Sequence, residues 1–115
     1  MTNLLQETLR MLRVCDKTPD DVRWVGGEDY YCEWNNFVVI ANKTDYYSGF
    51  GGQEIPSDIK IVGNDWWLER SEYDGSESWE YKSQPIKPKE HRNITRLTSP
   101  SSWSTMKEHE EYNED

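Results

Sequence analysis

Cysteine and histidine are scarce in this chain, two of each among 115 residues, and each shortage excludes a class of chemistry. Cys15 and Cys32 are too few for a disulfide framework or a structural zinc site. His91 and His109 stand in a polar C-terminal stretch without a Cys or His companion at metal-ligand spacing, so solvation accounts for both. Apolar residues are also few, at 34% with a mean hydropathy of -1.02, so any core is small. No run approaches the roughly 18 apolar residues of a membrane span. The opening MTNLLQETLRMLRV breaks its apolar residues with charges and lacks a signal-peptide centre. The expectation is a cytosolic protein with free thiols. The sequons at Asn42 and Asn93 are then chance matches.

Catalytic signatures are missing too. There is no Gly-x-Ser-x-Gly, His-Glu-x-x-His or Cys-x-x-Cys. The glycine-rich stretch Tyr46–Glu54 is not followed by the Gly-Lys-Ser/Thr of a phosphate loop. Asp65–Glu77 lacks the ligand order of a calcium-binding EF-hand. The expectation is a protein that is not an enzyme and uses no cofactor or metal. Basic charge is the last shortage: 13 Lys and Arg against 22 Asp and Glu leave a net charge of -9. That balance disfavours direct binding to phosphates and suits attraction to a basic protein surface.

What is present is aromatic: six Trp and seven Tyr. Each can bury about 150–250 Å², which offsets the low aliphatic content. They concentrate in Asp58–Lys82, DIKIVGNDWWLERSEYDGSESWEYK, which reads as a three-stranded meander. Ile59, Ile61 and Val62 suit a pleated surface, and Gly63-Asn64-Asp65 supplies a turn. Asp74-Gly75 is the stronger turn signal, since a two-residue type I′ turn needs positive φ at both central positions. Alternation puts Trp66, Leu68 and Arg70 on one face of the middle strand, and Trp67, Glu69, Ser71 and Tyr73 on the other. Pairing through Asp74-Gly75 sets Arg70 opposite Trp79 and Leu68 opposite Tyr81, a core face on which the Arg stem can lie on an indole. It also sets Glu69 beside Glu80, which is unfavourable. A longer Asp74–Glu77 loop would pair Glu69 with Lys82 instead.

The remaining elements are shorter. Leu5, Leu9 and Leu12 mark an amphipathic helix over residues 2–15, flanked by Leu4, Met11 and Cys15. Thr18-Pro19-Asp20-Asp21 is a helix-start signal for one turn that feeds a strand at Val22–Val25. Tyr30–Trp34 reads as the next strand, and a short helix capped by Asn35 or Asn36 runs through Phe37, Ile40 and Ala41, although Val38-Val39 equally suits a strand. Tyr46–Glu54 is expected to close over a sheet edge. Pro85, Pro88 and Pro100 break the C-terminal part, where 85–105 carries a net +3 and 106–115 a net -4. A helix from about Ser101, capped by Ser99 with Pro100 first and docked by Trp103 and Met106, competes there with a flexible arm. The expected fold is α+β: an N-terminal helix packed on a small antiparallel sheet in a single domain over 1–84, then a polar tail over 85–115.

The pattern from Lys17 to Gly26, with Ile61–Arg70 and Glu72–Glu77, resembles a group of small phage and prophage proteins of unassigned function, over about residues 4–88. The resemblance supplies no catalytic residue. It implies a mobile-element origin, and small acidic phage proteins are often inhibitors of host defence, anti-CRISPR proteins among them. The leading expectation is therefore a non-enzymatic inhibitor that blocks the basic nucleic-acid groove of a CRISPR effector nuclease. Its contact surface would be Trp67 with the hairpin acids Glu69, Glu72, Asp74, Glu77 and Glu80. Two alternatives stand beside it. One is a binder of a nucleotide signal that stacks the ligand on Trp67, Tyr46, Tyr47 and Phe50. The other is an accessory domain whose acidity serves solubility.

Overall fold

The first helix, α1, spans Leu4–Val14 and begins where Asn3 Oδ1 accepts the Gln6 N–H at 3.0 Å. It ends at Asp16, whose φ of 59° turns the chain left-handed while the Lys17 N–H reaches back to the Leu12 carbonyl at 2.8 Å. Leu4, Leu5, Thr8 and Leu12 are its buried residues, with Leu9 and Met11 packed partly against the core. Thr8 had no place in the expected leucine stripe. Its hydroxyl donates to the Leu4 carbonyl and accepts from Trp79 Nε1 at 2.9 Å, so its burial is satisfied. The computed structural model describes residues 1–49, 51–95, 97–98 and 105–111.

A 3-10 turn, Pro19–Asp21, follows, and the Asp21 carboxylate accepts from the Thr18 N–H at 2.8 Å. That bond holds Asp21 below the usual carboxylate range. The chain then builds five antiparallel strands: β2 Trp24–Gly26, β3 Tyr31–Cys32, β5 Lys60–Val62, β6 Trp66–Tyr73 and β7 Ser76–Ser83, in the order β3-β2-β5-β6-β7. Two further strands, β1 Thr2–Asn3 and β4 Asp45–Tyr46, pair with each other ahead of α1. The expected strand over Tyr30–Trp34 is shorter than its alternation suggested, because α2 occupies Trp34–Asn42. Trp34, Phe37, Val38 and Ala41 form a helical stripe on the core, and Trp34 meets Phe37 at 5.5 Å. Burial of that stripe overrides the strand preference of Val38 and Val39.

The hairpin takes the two-residue register. Asp74 (φ 52°) and Gly75 (φ 85°) form the turn, and Arg70 faces Trp79 while Leu68 faces Tyr81. The Glu72 carboxylate accepts the Gly75 N–H at 2.7 Å, which closes the turn from outside. Val25, Ile61 and Leu68 are fully buried on one sheet face with Trp66 and Trp79, and residues of both helices complete that cluster. Tyr81 is half-buried, stacked on Trp66 at 6.1 Å. The loop after β4 folds over the end of β7, where the Ser48 carbonyl accepts the Glu77 N–H at 2.8 Å.

By its contacts the chain divides into Met1–Pro85 and Ile86–Asp115. Within the second unit Arg92 pairs with Glu90, and α3 spans Met106–Glu111. The Thr105 hydroxyl accepts the Glu108 N–H at 3.2 Å as a cap for α3. Ser99, Pro100, Ser101 and Trp103 lie outside the described residues, and Met106 is exposed.

Candidate functional site

Glu77, expected on the surface, is buried. The alternation that puts Trp79 on the core face puts Glu77 there as well, two residues earlier. Its Oε1 accepts from Arg70 Nη2 at 2.8 Å, and its Oε2 accepts the Glu54 N–H at 2.8 Å. Arg70 Nη2 also donates to the Tyr46 hydroxyl at 2.9 Å, and Nη1 to Glu7 Oε1 at 3.3 Å. The guanidinium lies 4.7 Å over the Trp79 ring. Tyr46 in turn donates to Glu7 at 2.6 Å. Burial and that bond push the Tyr46 phenol up to about 12. Burial opposes the charge of Arg70, yet the bonds to Tyr46 and Glu77 hold its pKa above the ordinary value. This network ties α1, β4, β6, β7 and the loop at Glu54 together. Neither Glu77 nor Tyr46 is therefore open to a partner or a stacked ligand, which corrects both expectations.

The opposite sheet face is where the exposed groups gather. Register places Trp24, Val62, Trp67 and Lys82 side by side across β2, β5, β6 and β7. The next row holds Gly26, Lys60, Glu69 and Glu80, with Tyr31 opposite Gly26. Both helices put their buried residues into the core cluster on the other face, and these outward side chains are exposed or half-exposed. Neighbouring strands lie about 4.8 Å apart, so the Trp24 and Trp67 backbones are about 10 Å apart with Val62 between them.

Two arrangements on this face have chemical content. Trp67 Nε1 donates to Glu69 Oε1 at 2.6 Å, which fixes the carboxylate beside a half-buried indole. Along β7, Glu80 pairs with Lys82 two residues on at 3.5 Å, both about half-exposed. At the other end, the Trp24 and Tyr31 rings meet edge to face at 6.4 Å beside a hollow of about 590 Å³. Glu28, Asp29 and Glu33 line that hollow. Among the described residues that line it, the one cation, Arg23, is turned to Asn64 Oδ1 at 2.9 Å and to the Asp20 carbonyl at 3.1 Å. Aromatic faces with three carboxylates suit a guanidinium or an alkylammonium group.

Of the expected contact residues, the structure brings Trp67, Glu69 and Glu80 together on the open face. Glu72 and Asp74 are exposed at the hairpin tip, where one closes the turn and the other adopts its left-handed conformation. Sequence reasoning missed Trp24, Tyr31 and their hollow. The available signal was alternation in the first strand: Val25 faces inward, so Trp24 faces outward. Among the described residues no group of three His, Cys, Asp or Glu is placed to hold a metal ion, and both cysteines are free thiols. Burial raises the pKa of Cys15 and of Cys32. Among the described residues no helix is long and apolar enough to cross a membrane. Comparison with protein families, curated proteins and solved structures finds no match.

Proposed function

We propose that this chain is a non-enzymatic binding protein that lays its open sheet face on a basic, nucleic-acid-handling protein, in the manner of a phage inhibitor of host defence. A CRISPR effector nuclease is the target class to test first. The observation that carries the reading is the open face itself: a half-buried indole held against the Glu69 carboxylate, continued by Trp24 and Tyr31 beside acids. Interface energy concentrates in aromatic anchors, and carboxylates beside them complement the arginines of a phosphate-binding groove. The net charge of -9 adds long-range steering toward such a groove. The resemblance to phage proteins supports the target class. A nucleotide-binding role has less support, because Tyr46 is committed to the Arg70 network.

The experiment compares wild type with Glu69→Lys, Trp67→Ala and Trp24→Ala for binding to candidate effector nucleases and for inhibition of their cleavage. Each variant is first checked for native circular dichroism. Weakening of about tenfold or more is expected from each, with association slowing as salt rises. If all three inhibit as wild type does, the open face is not the contact surface. If wild type binds no such nuclease and releases a nucleotide on heating, the small-ligand reading replaces this one.

A further inference from the structure

Among the described residues, the outer edge of β7 is an unfilled hydrogen-bonding ladder between Trp79 and Ser83. The Glu77 N–H points away from β6, to the Ser48 carbonyl, so by alternation the N–H and C=O of Trp79, Tyr81 and Ser83 point the same way. The Gln84 N–H bonds the Asp65 carbonyl on the β6 side at 2.7 Å, which agrees with that phase. Strand β7 is the last in the sheet, and among the described residues no other backbone bond reaches its outer edge. Proteins usually blunt such an edge with a covering loop, a proline or a bulge. Here the loop covers Glu77 and the proline stands at Pro85, and the span from Trp79 to Ser83 is left between them.

We propose that a second copy of this chain fills that edge, pairing β7 with β7 antiparallel about a two-fold axis at Tyr81. Charge selects this register from its neighbours. Outward-pointing residues must face outward-pointing residues, so the axis falls on one residue of the strand. Centred on Glu80, it would set Glu80 against Glu80; centred on Lys82, it would set Lys82 against Lys82. Centred on Tyr81, it sets each Glu80 against the Lys82 of the other copy, twice, at the closely spaced non-hydrogen-bonded positions. Trp79 then exchanges hydrogen bonds with Ser83 of the other copy, and Tyr81 with Tyr81. The ladder stops where the chain stops it: Glu77, already bonded to Ser48, faces Pro85, which has no N–H to offer. The axis is perpendicular to the sheet, so the two five-stranded sheets become one continuous sheet with both open faces on the same side.

The pairing stands apart from the partner proposed above, and substitutions at Glu69 or Trp67 leave it intact. Sedimentation equilibrium on the full chain tests it directly. Wild type is expected to dimerise, with hydrogen exchange at the Trp79, Tyr81 and Ser83 amides slowing as concentration rises. Glu80→Lys and Lys82→Glu, each alone, set like charges opposite each other twice and are expected to raise the dimer dissociation constant about tenfold or more. Mixing these two variants restores both opposite-charge pairs, so a heterodimer is expected at wild-type strength, a result that a merely unfolded variant cannot give. A wild type that stays monomeric at millimolar concentration overturns the proposal. A dimer indifferent to both reversals, or a mixture that fails to associate, overturns the Tyr81 register.

Discussion

Arg70 shows how one residue reorganises the meaning of those around it. Its side chain is fully buried, and the carboxylates of Glu77 and Glu7 with the Tyr46 hydroxyl compensate its charge. The guanidinium makes these bonds through its two terminal nitrogens, and among the described residues its Nε has no hydrogen-bond partner. Removing one member of a buried ion pair leaves the other uncompensated, which costs about 3–5 kcal/mol. Glu77→Ala is therefore expected to destabilise the protein on that scale in urea denaturation. Glu69→Ala, on the half-exposed outer face, is expected to stay within about 1 kcal/mol. Equal losses for the two would mean that the Arg70 network contributes no more than a surface contact.

At the scale of the element, the tight turns set which face each strand presents. Gly63 precedes the β5–β6 turn, and a Cβ there would stand 2.1 Å from Trp66 Nε1. The indole of Trp66 is buried and stacked on Tyr81, so it has little room to retreat. Gly63→Ala is expected to cost about 1–3 kcal/mol, the range for overpacking a core. A shift in Trp66 fluorescence should accompany the loss. An unchanged denaturation midpoint together with an unchanged spectrum would show that the turn accommodates a methyl group. The same hairpin logic explains Glu72 and Asp74. A type I′ turn puts both at its rim, where they shape the turn as well as adding charge.

At the scale of the whole molecule, every described residue of the buried core cluster falls between Leu4 and Trp79. Met1–Pro85 also forms one contact unit and Ile86–Asp115 another. A chain truncated after Pro88 is accordingly expected to unfold cooperatively at nearly the wild-type urea midpoint. A midpoint lowered by more than a few tenths molar, or a loss of cooperativity, would assign residues 89–115 a structural role. The net charge of -9 also belongs to this scale, since it sums over all 115 residues and sets the sign of the field around the chain.

The features legible in the sequence are those decided by neighbours along the chain. Asp74-Gly75 marked a tight turn, though the choice between a two-residue turn and a longer Asp74–Glu77 loop fell to the structure; Thr18-Pro19 marked a helical turn, and alternation the inward set Trp66, Leu68, Arg70 and Trp79. The α+β class followed from them. Alternation also held the answer for Glu77 and Trp24, but charge and aromatic character argued the other way. Burying a carboxylate costs too much unless a partner waits, and burying an indole is ordinarily favourable. Only tertiary structure could supply the partner. Arg70 comes from the next strand, Glu7 lies 63 residues before Arg70, and Tyr46 lies 24 before it. Only the strand order decided that Trp24 and Trp67 share an uncovered face, because β2 adds to the far side of β5 through contacts between segments distant in sequence. Local chemistry selects conformations within a few residues, whereas the fate of a charge or an indole depends on what the fold brings opposite it.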